Sequence, residues 1–132
     1  MIAYQNRLLF LTIIEDENIL VVTWTDSVPY DAAELQGSID KVIETINKFQ
    51  IRKLLIDASE ATMAMEDEPI RIVLVGFAQQ LSKLGLEKLA RIITADQTRE
   101  ARVQSIRDEV FLPFQSYDIS NREQALKWLK ED

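Results

Sequence analysis

The chain of 132 residues contains no cysteine, no histidine and only three glycines. Without cysteine it forms no disulfide and offers no thiolate to a metal. Without histidine it lacks the usual general base and the commonest transition-metal ligand, which excludes zinc, haem and Ser-His or Cys-His chemistry. So few glycines argue against Gly-x-Gly loops that hold nucleotide phosphates. We therefore expect no cofactor, no metal site and no catalytic activity.

The charge and the apolar runs restrict the partners of the protein. The net charge of −7 and the sequence pI near 4.7 repel phosphate backbones, so we expect no nucleic-acid binding. The apolar run Leu8–Ile14 and the longest uncharged stretch, Ile72–Ser82, are both too short to span a bilayer. We expect a single cytoplasmic domain over residues 1–132, with enough apolar residues for a core and no membrane insertion.

The first half of the sequence predicts a hairpin, a helix and a strand. The runs Leu8–Ile14 and Asn18–Trp24 are apolar and β-branched, and the acidic segment Glu15–Glu17 between them suits a tight connection. From Asp31 to Phe49, apolar residues recur at spacings of three and four, which indicates a helix. The segment Lys53–Asp57 then predicts a short buried strand.

The second half alternates helices and strands after a loop over residues 58–66. Asp67 and Pro69 are start signals for a helix that Gly85 ends. A capping box of Ser120 and Glu123 opens the last helix. The remaining predicted elements are strands at Leu89–Thr94 and Phe114–Asp118, with a polar helix from Asp96 to about Val110 between them.

The resulting order is β-β-α-β-α-β-α-β-α. Strands that alternate with amphipathic helices predict an α/β fold, with a mostly parallel sheet, an antiparallel edge hairpin and helices packed on the sheet.

Several segments of the chain resemble a known family, namely Val22–Trp24, Asp31–Phe49, Lys53–Asp57, Gly85–Ala90 and Glu123–Leu129. Together they resemble the STAS-like (SpoIIAA-like) fold of anti-sigma-factor antagonists, especially its uncharacterised bacterial branch related to lipid-binding Sec14-like proteins. The resemblance implies the β-β-α-β-α-β-α-β-α fold and a regulatory or protein-interaction role.

The same resemblance raises phosphorylation as an alternative. Antagonists of this type are phosphorylated in an Asp-Ser-Ser-Gly-like turn, and the matching stretch here is Asp57–Thr62. Ser59 is the nearest hydroxyl, but the second serine and the glycine are absent. The acidic side chains around it disfavour a phosphate dianion, so a polar loop residue beside a helix start is the favoured interpretation.

A second resemblance, to response-regulator receivers, makes Asp57 the alternative phosphoryl acceptor. There an acidic pair, here within Glu15–Glu17, holds Mg²⁺ beside an aspartate that closes a buried strand, and Thr94 resembles the switch hydroxyl. However, a strand rather than a helix follows the acidic segment, and Gln115–Asp118 lacks the family's lysine. We keep this interpretation as a rival.

Candidate binding residues gather where strands end, because ligands of open α/β sheets bind at the carboxyl ends of strands. For Asp57 we favour anchoring of the next loop over ligand contact. The apolar loop with two methionines suits an irregular ligand surface. The candidate regulatory or ligand rim comprises Asp57, Ser59, Thr62, Met63, Met65, Thr94 and Asp96.

The second predicted helix is apolar almost all round, so the face that does not pack on the sheet needs a second surface to bury it, which we call its cover. That cover is another subunit, an apolar ligand or more of the same domain, and a two-fold dimer is the commonest arrangement. The candidate dimer face comprises Ile72, Val75, Gly76 and Gln79. Arg99, Arg102 and Arg107 share one side of the third helix, which we interpret as a solvated face with local ion pairs.

These observations favour a non-catalytic STAS-like regulatory or protein-interaction domain that forms a homodimer. The alternatives are a phosphoryl-accepting regulatory domain, on Asp57 or Ser59, and a binder of a small apolar or lipid-like ligand that uses Met63, Met65 and Val75.

Overall fold

The computed structural model describes residues 1–25, 30–59, 68–93 and 97–131, apart from the side chains of residues 98 and 99. The strands within these residues are β1 (Ile2–Gln5), β2 (Leu9–Ile14), β3 (Ile19–Trp24), β4 (Lys53–Asp57), β5 (Lys88–Ile92) and β6 (Gln115–Ile119). The helices are α1 (Ala32–Phe49), α2 (Glu68–Leu81), α3 (Gln97–Asp108) and α4 (Arg122–Lys130).

The strands form one mixed sheet in their order along the chain, β1-β2-β3-β4-β5-β6. The pairs β1–β2 and β2–β3 are antiparallel, and the three later pairs are parallel. Helices α1, α2 and α3 connect β3 to β4, β4 to β5 and β5 to β6. Connections between parallel strands are right-handed, and all three move across the sheet in the same direction, so the three helices lie on the same face. We call this the front face, and α4 packs on the back face. The predicted α/β class is confirmed.

The main core lies between the front face and α1. Alternate residues of β2 and β3 point into it, because side chains on a strand alternate between faces, and the apolar stripe of α1 covers them. Asp31 caps α1 by accepting a hydrogen bond from the Glu34 backbone N–H at 2.8 Å. The helix residues buried against the sheet are Leu35, Ile39, Val42 and Ile46.

The hairpin is joined to β4 through Asn18. After a 3₁₀ turn at Glu15–Glu17, Asn18 adopts the left-handed conformation with φ 56° and ψ 40°, which asparagine tolerates better than most residues. Its Oδ1 accepts a hydrogen bond of 2.6 Å from the Arg52 backbone N–H. Asn18 therefore belongs to the connection, whereas the sequence analysis placed it wrongly at the start of the strand.

Two charged side chains hold the ends of α4, whose apolar contact with the back face rests mainly on Ala125 and Leu129. At its C-terminus, the buried Lys88 ammonium donates to the carbonyl oxygens of Trp128 at 2.9 Å and Glu131 at 2.5 Å. A cation is favoured there because the last carbonyls of a helix form the negative end of its dipole, and the Trp128 carbonyl also accepts from the Glu131 backbone N–H at 3.2 Å. At its N-terminus, Arg122 donates to the carboxylate of Asp57.

The structure corrects the sequence prediction at several places. Strand β1 was not predicted, and it extends the antiparallel edge by pairing with β2. The N-cap of α4 is Asn121, whose side chain accepts from the Gln124 backbone N–H at 3.0 Å, and not Ser120. Strands β5 and β6 each differ by one or two residues from their predicted bounds.

In the part of the chain that the structure describes, no helix combines the length and the apolarity needed to cross a membrane.

We expect Lys88→Met to lower the free energy of unfolding by about 2 kcal/mol, because two carbonyls at the end of α4 lose a charged donor. Urea denaturation measures this change. The matched control is Lys83→Met, at an exposed position after α2, which we expect to change stability by less than about 0.5 kcal/mol. Equal effects of the two variants would contradict the role assigned to Lys88.

Candidate functional site

The side chain of Asp57, at the end of β4, is 11% exposed, and both of its carboxylate oxygens accept hydrogen bonds. Oδ1 accepts from the backbone N–H of Ser59 at 3.0 Å and from its hydroxyl at 2.6 Å. Oδ2 accepts from Arg122 at 3.2 Å. Asp57 therefore ties the loop after β4 to the start of α4, which is the anchoring role favoured from the sequence.

The described surroundings of Asp57 include one hydroxyl without a hydrogen-bond partner in the described part of the chain. It belongs to the buried Thr23, which is the partner of Asp57 on β3. No group of three or more acidic side chains that could hold a metal ion occurs among residues 1–25, 30–59, 68–93 and 97–131. The remaining candidates for the rim lie outside the described residues, namely Thr62, Met63, Met65, Thr94 and Asp96.

The candidate dimer face lies on the side of α2 that points away from the sheet. Ile72 is 62% exposed and Gln79 is also exposed, whereas Val75 and Gly76 are half-buried. The opposite side of α2 carries Phe77 and Leu81 into the front-face core.

A cavity of about 150 Å³ lies between the front face of the sheet, α2 and α3, and we call it the α2–α3 cavity. The sheet and the residue after β4 contribute Trp24, Ile56, Ala58, Leu89, Arg91 and Asp118. Helix α2 contributes Leu74, Phe77, Ala78 and Leu81. Helix α3 contributes Val103, Ile106 and Arg107, and two loops add Tyr30 and Leu112. Most of this lining is apolar.

The charged residues of the lining form ion pairs between α3 and the sheet. Arg91 of β5 donates to both carboxylate oxygens of Glu100 on α3, at 2.5 and 2.9 Å, and its side chain is 9% exposed. Arg107 of α3 donates to Asp118 of β6 at 2.6 Å and to the hydroxyl of Ser116 at 2.9 Å. The second pair is the more exposed one, with 35% of the Asp118 side chain accessible.

These polar contacts hold α3 in place, because the helix has little apolar surface of its own. Ile106 is its one fully buried residue among those described. On the side of α2, Arg71 donates to the Ser105 hydroxyl at 3.3 Å and pairs with Glu109 at 3.0 Å. The second wall of the α2–α3 cavity is therefore positioned mainly by ion pairs and hydrogen bonds.

Sequence reasoning missed Arg91 and Glu100. The sequence does carry a signal for this pair, because Arg91 lies within the apolar strand β5 and a buried guanidinium needs a carboxylate partner. Arg107 does form a local ion pair, but it also lines the cavity.

No family model matches this chain, and no curated protein or solved structure matches it significantly. The resemblance to STAS-like domains therefore stays a prediction.

We expect Glu100→Ala to lower the free energy of unfolding by about 3 kcal/mol, because it leaves the guanidinium of Arg91 buried without its carboxylate. The control is Glu34→Ala, which removes the partner of Arg7 in an ion pair with both side chains largely exposed. Exposed pairs contribute less than about 1 kcal/mol. Chemical denaturation of both variants measures the difference, and similar losses would show that burial of the Arg91–Glu100 pair does not matter.

Proposed function

We propose that this protein is a binding domain that takes a small apolar molecule into the α2–α3 cavity. The observation that carries the proposal is the cavity itself, with its volume of about 150 Å³ and its mainly apolar lining. Transfer of an apolar molecule from water onto such a lining is favourable, because it removes apolar surface from water.

The position of the cavity supports the same function. Trp24 is the last residue of β3, Ala58 follows β4, and Arg91 and Asp118 lie next to the last residues of β5 and β6. The cavity is thus at the carboxyl ends of the parallel strands, where open α/β sheets bind their ligands.

The rival hypothesis of phosphoryl acceptance on Asp57 or Ser59 has less support. Both carboxylate oxygens of Asp57 accept hydrogen bonds, and the Ser59 hydroxyl donates to one of them. Phosphorylation of Ser59 removes the hydroxyl hydrogen that it donates to Asp57, and phosphorylation of Asp57 removes the carboxylate charge that pairs with Arg122. A STAS-like regulatory domain that responds to a bound apolar molecule combines the predicted resemblance with the cavity, and we propose that role without catalysis.

Filling the cavity is the direct test of binding. Ala78 lines the cavity from α2, so Ala78→Leu places three more carbons in it. We expect benzene to raise the thermal midpoint of the wild type, since a ligand that binds the folded state stabilises it, and to shift the methyl NMR signals of Leu74 and Val103. In Ala78→Leu we expect benzene affinity to fall at least about tenfold, a loss expected when the ligand's space is filled.

The matched control is Gln80→Leu, which adds a leucine at an exposed position of the same helix that belongs neither to the cavity lining nor to the candidate dimer face. It should bind benzene like the wild type. Absence of benzene binding to the wild-type protein, or equal binding by both variants, would contradict the proposal.

The homodimer also stays a prediction, and Ile72, which is 62% exposed on the candidate dimer face, is the residue that tests it most directly. We expect Ile72→Asp to convert a wild-type dimer into a monomer in sedimentation experiments, because the carboxylate would be buried unpaired at the interface. Ile72→Val is the conservative control that should remain dimeric. A monomeric wild-type protein would refute the dimer.

A further inference from the structure

We infer that β6 pairs with β6 of a second copy of this chain, antiparallel and centred on Tyr117, so that two sheets join into one. This contact is separate from the α2–α3 cavity and from the candidate dimer face on α2. Three features carry the inference, which are the unpaired backbone groups of β6, the side chains on its two faces, and the contrast with the other edge of the sheet.

The backbone hydrogen bonds show which residues of β6 face outward. The N–H of Gln115 donates at 3.2 Å to the residue before β5, and the carbonyl of Ile119 accepts at 2.8 Å from the residue after β5. Both residues therefore direct their backbone groups toward β5. Because these groups alternate along a strand, Ser116 and Asp118 direct theirs toward the free edge. Within the described residues, β6 pairs with β5 alone.

These outward groups are symmetric about Tyr117, so an antiparallel second copy satisfies all of them. Ser116 then lies opposite Asp118 of the second copy, and the two residues exchange both of their backbone hydrogen bonds, as a hydrogen-bonded pair does in an antiparallel sheet. The two-fold axis through Tyr117 repeats the same pair with the two copies exchanged.

The side chains on the front face favour this register. Asp118 pairs with Arg107 at 2.6 Å, and the same guanidinium donates to the Ser116 hydroxyl at 2.9 Å. In the paired strands each Asp118 therefore lies opposite a serine that binds the second copy's guanidinium, which is a contact between opposite charges. A register centred on Asp118 would place two carboxylates opposite each other. A register centred on Ser116 would leave Asp118 opposite Phe114, which lies outside the strand.

The back face of β6 presents an aromatic ring at the edge of the sheet. Tyr117 is 42% exposed and contacts Trp128, with ring centroids 5.2 Å apart. In the paired strands Tyr117 lies opposite itself in a non-hydrogen-bonded pair, in which the Cα atoms are about 4.5 Å apart. Aromatic cross-strand pairs stabilise antiparallel sheets, so the second copy covers the ring that one copy leaves exposed.

The other edge of the sheet carries a feature that opposes such pairing. Strand β1 pairs with β2 through a register shift between Ile2 and Tyr4, and an irregularity of this kind twists an edge strand away from a new partner. Strand β6 pairs with β5 residue for residue, and it contains neither lysine nor proline, which are common blocks to edge pairing. Its one charged residue, Asp118, is paired.

The contact is small, because it spans the five residues of β6 on each chain. It is smaller than a standard interface, so we expect a dissociation constant on the order of 1 mM. At lower concentrations this contact alone leaves the chain monomeric, and covalent trapping is needed to detect it.

The absence of cysteine from this chain makes disulfide trapping the direct test. Tyr117→Cys places two thiols opposite each other, at a Cα separation that a disulfide spans. The matched control is Gln115→Cys on the same exposed side of β6, whose two Cα atoms would be about 13 Å apart along the strands. With oxidised glutathione and protein at about 1 mM, we expect the covalent dimer of Tyr117→Cys to form at least about tenfold faster than that of Gln115→Cys.

A proline variant separates strand pairing from random collision. In the Tyr117→Cys chain, Ser116→Pro removes an outward N–H at an edge position where proline leaves the bonds to β5 in place, whereas Ser116→Ala keeps that N–H. We expect Ser116→Pro to slow the trapping at least about tenfold and Ser116→Ala to slow it less than about threefold. Amide NMR spectra of the reduced proteins check that both variants are folded.

Three outcomes would overturn the inference. Equal trapping of Tyr117→Cys and Gln115→Cys would show that the thiols meet by random collision. Faster trapping of Gln115→Cys would place the two-fold axis elsewhere. Unchanged trapping in a folded Ser116→Pro chain would show that the outward backbone groups are not used. The comparison of the two cysteine variants stands whether or not the proline variant folds.

Discussion

The bidentate ion pair between Arg91 and Glu100 fixes the distance between a polar helix and an apolar sheet. Helix α3 has too little apolar surface to be held by burial alone, so its position follows from where the buried guanidinium finds its carboxylate. With α3 held away from the strands at that distance, the side chains of α2 and β5 do not close on each other. The α2–α3 cavity is the space that remains.

Charged side chains have a similar role on the back face. There α4 buries Ala125 and Leu129, while Arg122 with Asp57 fixes one end and Lys88 fixes the other. In both cases a polar helix packs against an apolar sheet through a few buried or half-buried charges. A buried charge that loses its partner destabilises the fold, so these contacts specify the position of each helix more than they add stability. Asp57 belongs to this scaffold.

The parts of the fold that depend on local pattern are predictable from the sequence. The hairpin has a strong β-branched pattern and α1 a strong three-four periodicity, and the structure adds that Asp31, at the predicted start of the helix, caps it. Strand β1 is short and half polar, so it forms mainly because β2 offers a free edge. The cavity is not predictable from pattern, because its volume depends on how far α3 stands from the sheet. Ser120 and Asn121 are both good caps, and only the path of the chain after β6 selects Asn121.

The consecutive order of the strands also bears on how the chain assembles during synthesis. Each strand pairs with the strand made just before it, so the pairing of a new strand closes only the segment of chain between those two strands. A nascent chain can therefore extend the sheet from β1 toward β6 as it emerges, with the N-terminal part ordered first. The contact between Asp57 and Arg122, 65 residues apart, forms near the end of this sequence. The back face of β4 thus stays uncovered until α4 has left the ribosome.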